Sequence, residues 1–122
     1  MANPFVHVEL HTKDLAKAKT FYGQLFGWQL QDTPMPGGGG AYTMIGVGEG
    51  TGGGMMKHPM PEEGSAWLPY VLVEDIAAAT AKAKSLGASI IRDVMEVPGA
   101  GSLSIIQDPT GATLGMWQPK ST

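Results

Sequence analysis

Polar and apolar side chains alternate over residues 5 to 11, and this pattern predicts a β-strand. His7, Glu9 and His11 fall on one face of the strand, whereas valine and leucine occupy the other. Successive strand residues point to opposite faces of a sheet, so the strand should have one polar and one apolar face. We expect the apolar face to pack against a helix.

Residues 14 to 26 form the next predicted element, a helix with apolar residues three or four positions apart. Asp14 can cap its N-terminus and Gly27 can end it. Three more strands are predicted in the first half, at residues 28–31, 41–46 and 53–57. The first half of the chain therefore predicts the order βαβββ.

The same order returns 61 positions later. Asp75 recurs where Asp14 stands, and Gly115-Met116 recurs where Gly54-Met55 stands. The second half predicts a strand at 68–73, a helix at 76–86, and strands at 88–92, 102–107 and 113–118. The last two strands flank Asp108-Pro109-Thr110-Gly111, where proline and glycine suit a type I turn and make a hairpin.

Two copies of βαβββ predict an α+β fold with a pseudo-two-fold repeat, rather than a solenoid of many short repeats. A chain of 122 residues, 43% of them hydrophobic, can bury one substantial core but hardly two independent ones. We therefore expect a single domain over residues 1–122. Module one is predicted at about 4–57, a linker at about 58–66 and module two at about 67–119.

The charge and the cysteine count narrow the class of partner. The net charge is −3, and the eight lysines and arginines form no run that would attract nucleic acid or anionic lipid. A small organic molecule is therefore the expected partner, with neither nucleic acid nor a membrane. The chain has no cysteine and does not begin with a basic segment followed by an apolar run, so we expect a cytoplasmic protein.

Four ordered motifs give the chain a resemblance to a known family. They are Thr12-Lys13-Asp14-Leu15, Phe21-Tyr22-Gly23-Gln24-Leu25-Phe26-Gly27-Trp28, Leu86-Gly87-Ala88 and Asp108-Pro109-Thr110-Gly111. With the doubled βαβββ order, they resemble the vicinal oxygen chelate superfamily, which includes glyoxalases, bleomycin-resistance proteins and extradiol dioxygenases. The resemblance covers nearly the whole chain. It implies a curled, eight-stranded mixed sheet around a cavity, with the helices outside.

The resemblance also implies where a divalent metal would bind, because metal-dependent members place His or Glu on the first and fourth strands of each module. Carried over by position, these sites fall at His7, Gly54, Leu68 and Gly115. Three of the four have no side chain that can bind a metal, and one histidine cannot hold a catalytic ion. No metal or other cofactor is therefore expected, unless this placement of the ligands is wrong.

His7 and Glu9 are the candidate catalytic residues, and His11 on the same face is a candidate ligand contact. If burial beside aromatic groups raises the pKa of Glu9, its carboxylate could act as a general base near neutral pH. The alternative is that a backbone group holds His7 and that His11 lies in solvent at the end of the strand.

The alternation also directs Met56, Leu68, Tyr70 and Trp117 toward the expected cavity, with Leu72 beside them. They are the candidate ligand-binding residues, because small organic ligands bind in pockets with mostly apolar walls. Ordinary core packing is the alternative, since methionine on a strand often fills an irregular gap.

Two further predictions concern glycine-rich segments. Gly37–Gly40 is predicted to be a flexible connection, and the alternative is a loop that covers the cavity. A register slip in residues 46–54 would bring Glu49 or His58 nearer to the cavity, and such a slip is not expected.

Three functions remain open at this point. The first is a small-molecule-binding protein that has lost the usual metal site of the family. The second is a metal-dependent lyase or dioxygenase of the glyoxalase type, and the third is a metal-free enzyme that uses His7 or Glu9 for proton transfer. A homodimer is expected, and the modules could pair within one chain or exchange between two chains.

Overall fold

The computed structural model describes residues 3–34, 41–58 and 61–120, apart from the side chain of Pro61, and the predicted loop at Gly37–Gly40 lies outside this part. The elements are β1 Phe5–Thr12, α1 Leu15–Phe26, β2 Gln29–Pro34, β3 Ala41–Gly46, β4 Gly53–Lys57, a 3₁₀ helix Pro61–Glu63, β5 Ala66–Leu72, α2 Ile76–Ser85, β6 Ser89–Val97, β7 Gly101–Gln107 and β8 Thr113–Pro119. This sequence of elements confirms the α+β class and the doubled βαβββ order.

The chain divides into two compact units, Val6–Leu68 and Pro69–Thr122 with Met1–Phe5. The strand order is β2-β3-β4-β1 in the first unit and β5-β8-β7-β6 in the second. In each unit the first and fourth strands of the module run parallel, and the other neighbours are antiparallel. Glu9 pairs with Gly54 and Tyr70 pairs with Gly115, so the two registers match at the predicted offset of 61 residues.

Each helix covers the apolar face of its own sheet. Leu10, Ile45 and Met55 are buried beneath α1. Val73, Ile76, Ile106 and Met116 form the core beneath α2. Burying an aliphatic or methionine side chain of this size stabilises a fold by roughly 1.5–3 kcal/mol. These two clusters therefore fix which face of each sheet the helix covers.

The helix ends follow the predicted caps. The Oδ1 atom of Asp14 accepts a hydrogen bond from the Lys17 amide at 3.0 Å, and that of Asp75 accepts one from the Ala78 amide at 3.1 Å. Gly27 ends α1 in the left-handed conformation, with φ of 69°, which glycine adopts without steric cost. The predicted aspartate caps and the predicted end of α1 are confirmed.

Several predicted boundaries need correction. The strand expected at 28–31 runs from Gln29 to Pro34, and the strand expected at 68–73 runs from Ala66 to Leu72. The strand expected at 88–92 runs from Ser89 to Val97, because two register shifts between Ile90 and Met95 break the alternation that marks a strand. The second helix ends at Ser85 instead of Leu86. The predicted hairpin is confirmed, since the Gly111 amide donates to the Asp108 carbonyl at 2.9 Å.

Candidate functional site

The polar side chains of β1 form a hydrogen-bonded cluster with a tyrosine of β3. The Nε2 atom of His7 lies 2.7 Å from the Tyr42 hydroxyl, which donates to Glu9 Oε2 at 2.7 Å. The other carboxylate oxygen of Glu9 lies 2.6 Å from Nε2 of His11. We call His7, Tyr42, Glu9 and His11 the polar cluster. The His11 ring also meets the His58 ring edge-on, with centroids 5.8 Å apart.

The polar cluster depends on a glycine in β4. Gly54 pairs with Glu9 on one side and with Met44 on the other, so its strand runs between β1 and β3. A Cβ atom at Gly54 would lie 1.9 Å from the Tyr42 hydroxyl and 2.1 Å from its ring. Because real Cβ atoms do not approach other atoms this closely, only glycine leaves room for the Tyr42 ring to reach Glu9.

The cluster holds its carboxylate ionised, so the raised pKa that the general-base hypothesis for Glu9 requires is not present. Burial by itself raises the pKa of Glu9, but hydrogen bonds from His11 and Tyr42 and the nearby histidines outweigh it and lower that pKa. Burial lowers the pKa of His7, although the charge of Glu9 acts the other way. At neutral pH the cluster therefore contains a carboxylate and a neutral His7 imidazole.

The direction of the hydrogen bonds follows from these charge states. The Tyr42 hydroxyl donates a hydrogen bond to Glu9. The hydroxyl oxygen of Tyr42 therefore accepts a hydrogen bond from the Nε2–H group of His7. His11 donates to the other oxygen of Glu9. Its side chain is 17% exposed, so the alternative that His11 lies free in solvent is not what the structure shows.

The second unit presents a mainly apolar surface on the corresponding sheet face. Tyr70 pairs with Gly115, and Leu72 pairs with Trp117. A Cβ atom at Gly115 would lie 2.4 Å from the Tyr70 ring, so this ring also covers a glycine of the fourth strand. The structure thus brings the candidates Tyr70 and Trp117 to one sheet face.

The remaining candidates lie in the first unit. Met56 pairs with His11, and Leu68 is buried with 6% of its surface exposed. The ligand-binding roles of Met56, Leu68, Tyr70, Trp117 and His11 stay predictions, as do the catalytic roles of His7 and Glu9. An open cleft of about 570 Å³ lies elsewhere, beside the N-terminus of α1, and it includes none of these candidates.

The residues at the implied metal positions do not fit a metal site. Tyrosine rings occupy the space that side chains at Gly54 and Gly115 would need. Both oxygens of Glu9 are already engaged by His11 and Tyr42. Within the part of the chain that the structure describes, no group of three or more His, Cys, Asp or Glu side chains could hold a metal ion. A catalytic zinc site needs about three such donors.

Sequence reasoning missed two members of this site. Tyr42 alternates with Met44 on β3, and pairing β3 with the glycine of β4 would have directed it toward Glu9. His58 reaches His11 without any register slip, because its amide donates to the Thr12 carbonyl at 2.8 Å and extends the pairing of β4 with β1. Both contacts join residues that are more than 30 positions apart along the chain.

The paired βαβββ modules, each with a helix on one face of its strands, define the fold class of the chain as α+β. The chain belongs to the Glyoxalase/Bleomycin resistance protein/Dioxygenase superfamily, because the sequence model of that family matches residues 5–116. This confirms the resemblance seen in the sequence motifs. Among the described residues, no helix is long and apolar enough to cross a membrane.

Two curated relatives are similar over most of this chain. "Putative glyoxylase CFP32" of Mycobacterium bovis is 40% identical over 114 residues, which cover 91% of this chain and 44% of the relative. "Anthracycline biosynthesis protein DnrV" of Streptomyces peucetius is 29% identical over 126 residues, which cover 90% of this chain and 45% of the relative. The chain therefore spans less than half the length of the curated relatives it matches.

Solved structures share the fold at low sequence identity. A hypothetical protein of Bacillus halodurans, BH1468, has a TM-score of 0.79 at 14% identity, covering 100% of this chain and 98% of its own. Methylmalonyl-CoA epimerase of Mycobacterium tuberculosis has a TM-score of 0.74 at 17% identity, covering 96% of this chain and 88% of its own. At these identities the likeness supports the fold alone.

Proposed function

We propose that this domain binds a small organic molecule on the face of β1, β3 and β4 that carries the polar cluster, without a resident divalent metal. The observation that carries the proposal is the tyrosine ring over the fourth-strand glycine of each module. At Gly54 the Tyr42 hydroxyl occupies the space that a ligand side chain would fill. Recognition would then rest on hydrogen bonds and apolar contacts.

The chemistry of this face favours a flat ligand with hydrogen-bonding groups. Met44 lies beside Gly54 and is 44% exposed, and Met56 pairs with His11 on the same strand face. Methionine sulfur makes favourable contacts with aromatic rings, and the neighbouring polar cluster can orient a hydroxyl or carbonyl group. One relative is named for anthracycline biosynthesis, so polycyclic aromatic compounds are the first class to test.

The metal part of the proposal is tested by elemental mass spectrometry. The purified protein is incubated separately with nickel, zinc, manganese and ferrous iron, and then desalted. We expect less than about a tenth of an equivalent to remain, because one histidine cannot hold a catalytic ion against buffer. If the wild type retained one equivalent of metal and His7→Ala lost it, the proposal would be overturned. A metal-dependent lyase or dioxygenase would then be the better interpretation.

The binding part is tested by calorimetric titration with a panel of polycyclic aromatic phenols and quinones, with and without EDTA. We expect an affinity that EDTA leaves unchanged and that Tyr42→Ala weakens by about tenfold, since this change removes the centre of the polar cluster. Leu86→Ala on the far end of α2 is the matched control, because Leu86 is exposed and lies outside the cluster. Equal weakening in both variants would count against this site.

Quenching of Trp117 tests the second unit separately. Trp117 is on the corresponding sheet face of that unit, paired with Leu72. A ligand that binds this face instead of the polar cluster should quench tryptophan fluorescence in the wild type and lose most of that effect in Trp117→Phe. Quenching that survives in Trp117→Phe but disappears in Trp28→Phe would assign the ligand to a different surface.

A second candidate function is metal-free proton transfer by His7. Burial lowers the pKa of His7, so its imidazole is neutral at neutral pH and suited to accept a proton. The ionised Glu9 would stabilise the resulting imidazolium through Tyr42. Deuterium exchange from D₂O into carbonyl compounds with an acidic C–H, measured by NMR with EDTA present, tests this function. Exchange that His7→Gln leaves unchanged would exclude His7 as the base.

The location and the assembly of the protein are part of the same proposal. We propose a cytoplasmic protein that acts as a homodimer. The absence of cysteine supports the location, because secreted domains of this size often depend on disulfides. Fractionation of the native host into cytoplasmic and envelope fractions tests it.

A further inference from the structure

Helix α1 carries large apolar side chains that are more than half exposed among the residues that the structure describes. Phe21, Leu25 and Phe26 are 56%, 56% and 57% exposed. No side chain of α1 is fully buried, although a surface helix normally buries one apolar stripe against its sheet. The exposed part of this helix is therefore unusually apolar for a surface in contact with water.

The exposed side chains continue into a cluster of aromatic rings. The Phe21 and Tyr22 centroids are 5.0 Å apart, those of Phe26 and Trp28 are 4.8 Å apart, and those of Tyr22 and Trp67 are 5.4 Å apart. Leu25 lies one helical turn from Phe21. We call this surface the aromatic patch, and it consists of Phe21, Tyr22, Leu25, Phe26, Trp28 and Trp67.

We propose that the aromatic patch is the interface with a second copy of this chain, in a symmetric dimer whose two-fold axis crosses α1. This inference names the surface for the proposed homodimer and does not depend on the identity of the ligand. In such a dimer the same patch serves both subunits, so each residue faces residues of the same set.

The distribution of charge suits a second copy and disfavours a strongly charged partner. Residues 20 to 31 contain no charged side chain, and they cover the second half of α1 and the start of β2. A two-fold interface places identical residues close together, so charges of one sign within it would repel each other. The aromatic patch has no charged residue and so avoids this repulsion. For the same reason it offers no charge that an acidic or basic partner could recognise.

The exposed apolar area is sufficient for a stable dimer. Aromatic side chains bury roughly 150–250 Å² each, so the exposed portions of Phe21, Leu25, Phe26 and Trp67 amount to roughly 400 Å² per subunit. Two subunits would then bury roughly 800 Å² of apolar surface from these residues alone. Because apolar atoms make up about 56–58% of an interface, the total would be roughly 1,400 Å². Stable interfaces bury about 1,200–2,000 Å².

The corresponding surface of α2 lacks this character. Sixty-one residues after Phe21, Leu25 and Phe26, the chain carries Lys82, Leu86 and Gly87. Leu86 is 70% exposed, but it has no aromatic neighbours from its own helix. Leu25 and Leu86 therefore form a matched pair, in which only Leu25 belongs to the aromatic patch.

Sedimentation equilibrium of the intact chain tests the proposal. We expect the wild type to be a dimer at micromolar concentration, the double variant Phe21→Ser/Leu25→Ser to dissociate at least 100-fold more readily, and Leu86→Ser to match the wild type. A wild type that stays monomeric up to about 100 µM would overturn the proposal. So would a dimer that the double variant leaves intact.

A distance measurement tests the same interface without disturbing the patch. The chain has no cysteine, so Gln24→Cys gives one attachment site for a spin label on the exposed face of α1. Packed helices lie about 8–10 Å apart, so paired labels on two α1 helices should be within roughly 30 Å. Pulsed electron spin resonance of the dimer should show this distance. A dimer without it would place the interface elsewhere and overturn the proposal.

Discussion

The two modules share a backbone register but differ in the chemistry of the sheet face turned away from the helix. The pairs at the offset of 61 residues are His7 and Leu68, Glu9 and Tyr70, His11 and Leu72, Tyr42 and Leu103, and Met56 and Trp117. On the helix side the residues stay alike, as Ile45 matches Ile106 and Met55 matches Met116. The helix side thus sets the fold, and the other face is free to carry different chemistry.

Both modules nevertheless place a tyrosine over the glycine of the fourth strand, and they do so from different strands. Tyr42 comes from β3 and covers Gly54, whereas Tyr70 comes from β5 and covers Gly115. In the first unit the hydroxyl joins a polar cluster, while in the second the Tyr70 ring is 3% exposed. The same covered glycine therefore supports a polar site in one module and packed aromatic surface in the other.

The largest effect is expected where the covered glycine gains a side chain. Gly54→Ala should lower the free energy of unfolding by about 3 kcal/mol, because the Cβ atom would overlap the Tyr42 ring and displace it from Glu9. Urea unfolding measures this loss. In a Tyr42→Ala background the added loss should fall below about 1 kcal/mol, since the clash is absent.

Gly23→Ala is the matched control for that substitution. A Cβ atom at Gly23 would meet the Leu30 side chain at 3.6 Å, an ordinary contact, and alanine favours the helix over glycine. We expect a gain of about 1 kcal/mol instead of a loss. If Gly54→Ala were as harmless as Gly23→Ala, the account of the covered glycine would be wrong.

The next effect concerns the partly buried carboxylate of Glu9, whose counterpart in the second module is the uncharged Tyr70. Glu9→Gln should lower the free energy of unfolding at pH 7 by about 2 kcal/mol, because two charge-assisted hydrogen bonds become neutral ones. Glu96→Gln on the exposed surface of β6 should change it by less than about 0.5 kcal/mol. Equal effects of the two substitutions would show that the cluster contributes no more than an exposed carboxylate.

Two partly buried groups of the first module, His7 and Glu9, should make the stability depend on pH in two separate ranges. The lowered pKa of His7 means that the unfolded chain binds its proton first, so stability should fall as the pH drops below about 6.5. Because the pKa of Glu9 is lower in the folded than in the unfolded chain, its carboxylate stabilises the fold at neutral pH. This stabilisation should be lost as the pH falls below about 4.3, the usual pKa of glutamate. Urea midpoints measured from pH 8 to pH 3 would reveal both ranges.

Variants assign each range to its residue. His7→Gln should flatten the upper range only. Glu9→Gln should reduce the loss of stability in the lower range, to which the lowered pKa values of Asp32 and Asp108 also contribute. A wild-type profile that stays level between pH 8 and pH 5 would contradict the burial of a neutral His7.

The smallest expected effect comes from a single hydroxyl. Tyr42→Phe keeps the ring over Gly54 but removes the hydrogen bond to Glu9, so it should lower the free energy of unfolding by about 1 kcal/mol. It should also raise the pKa of Glu9, which NMR titration of the carboxyl carbon would report. An unchanged pKa would mean that His11 alone keeps Glu9 ionised.

The sequence predicted elements well where the local pattern was regular and poorly where it was not. The alternation in β1 and the aspartates before both helices were sufficient, because strands and caps depend on residues a few positions apart. The length of β6 was missed, since its register shifts interrupt the alternation beyond Arg92. The raised pKa on which the general-base hypothesis for Glu9 depended is not found, because hydrogen bonds from His11 and from Tyr42, 33 positions away, lower that pKa.

The sequence by itself determined the doubled βαβββ order, the faces of β1 and the family, because periodicity, caps and ordered motifs are local features. Only the tertiary structure showed that Tyr42 crosses Gly54 to join His7 with Glu9, and that the aromatic side chains of α1 stay exposed. Both depend on which strands become neighbours and on how closely their backbones approach. Hydrogen bonds and burial between residues distant in the chain are fixed only when the sheet forms.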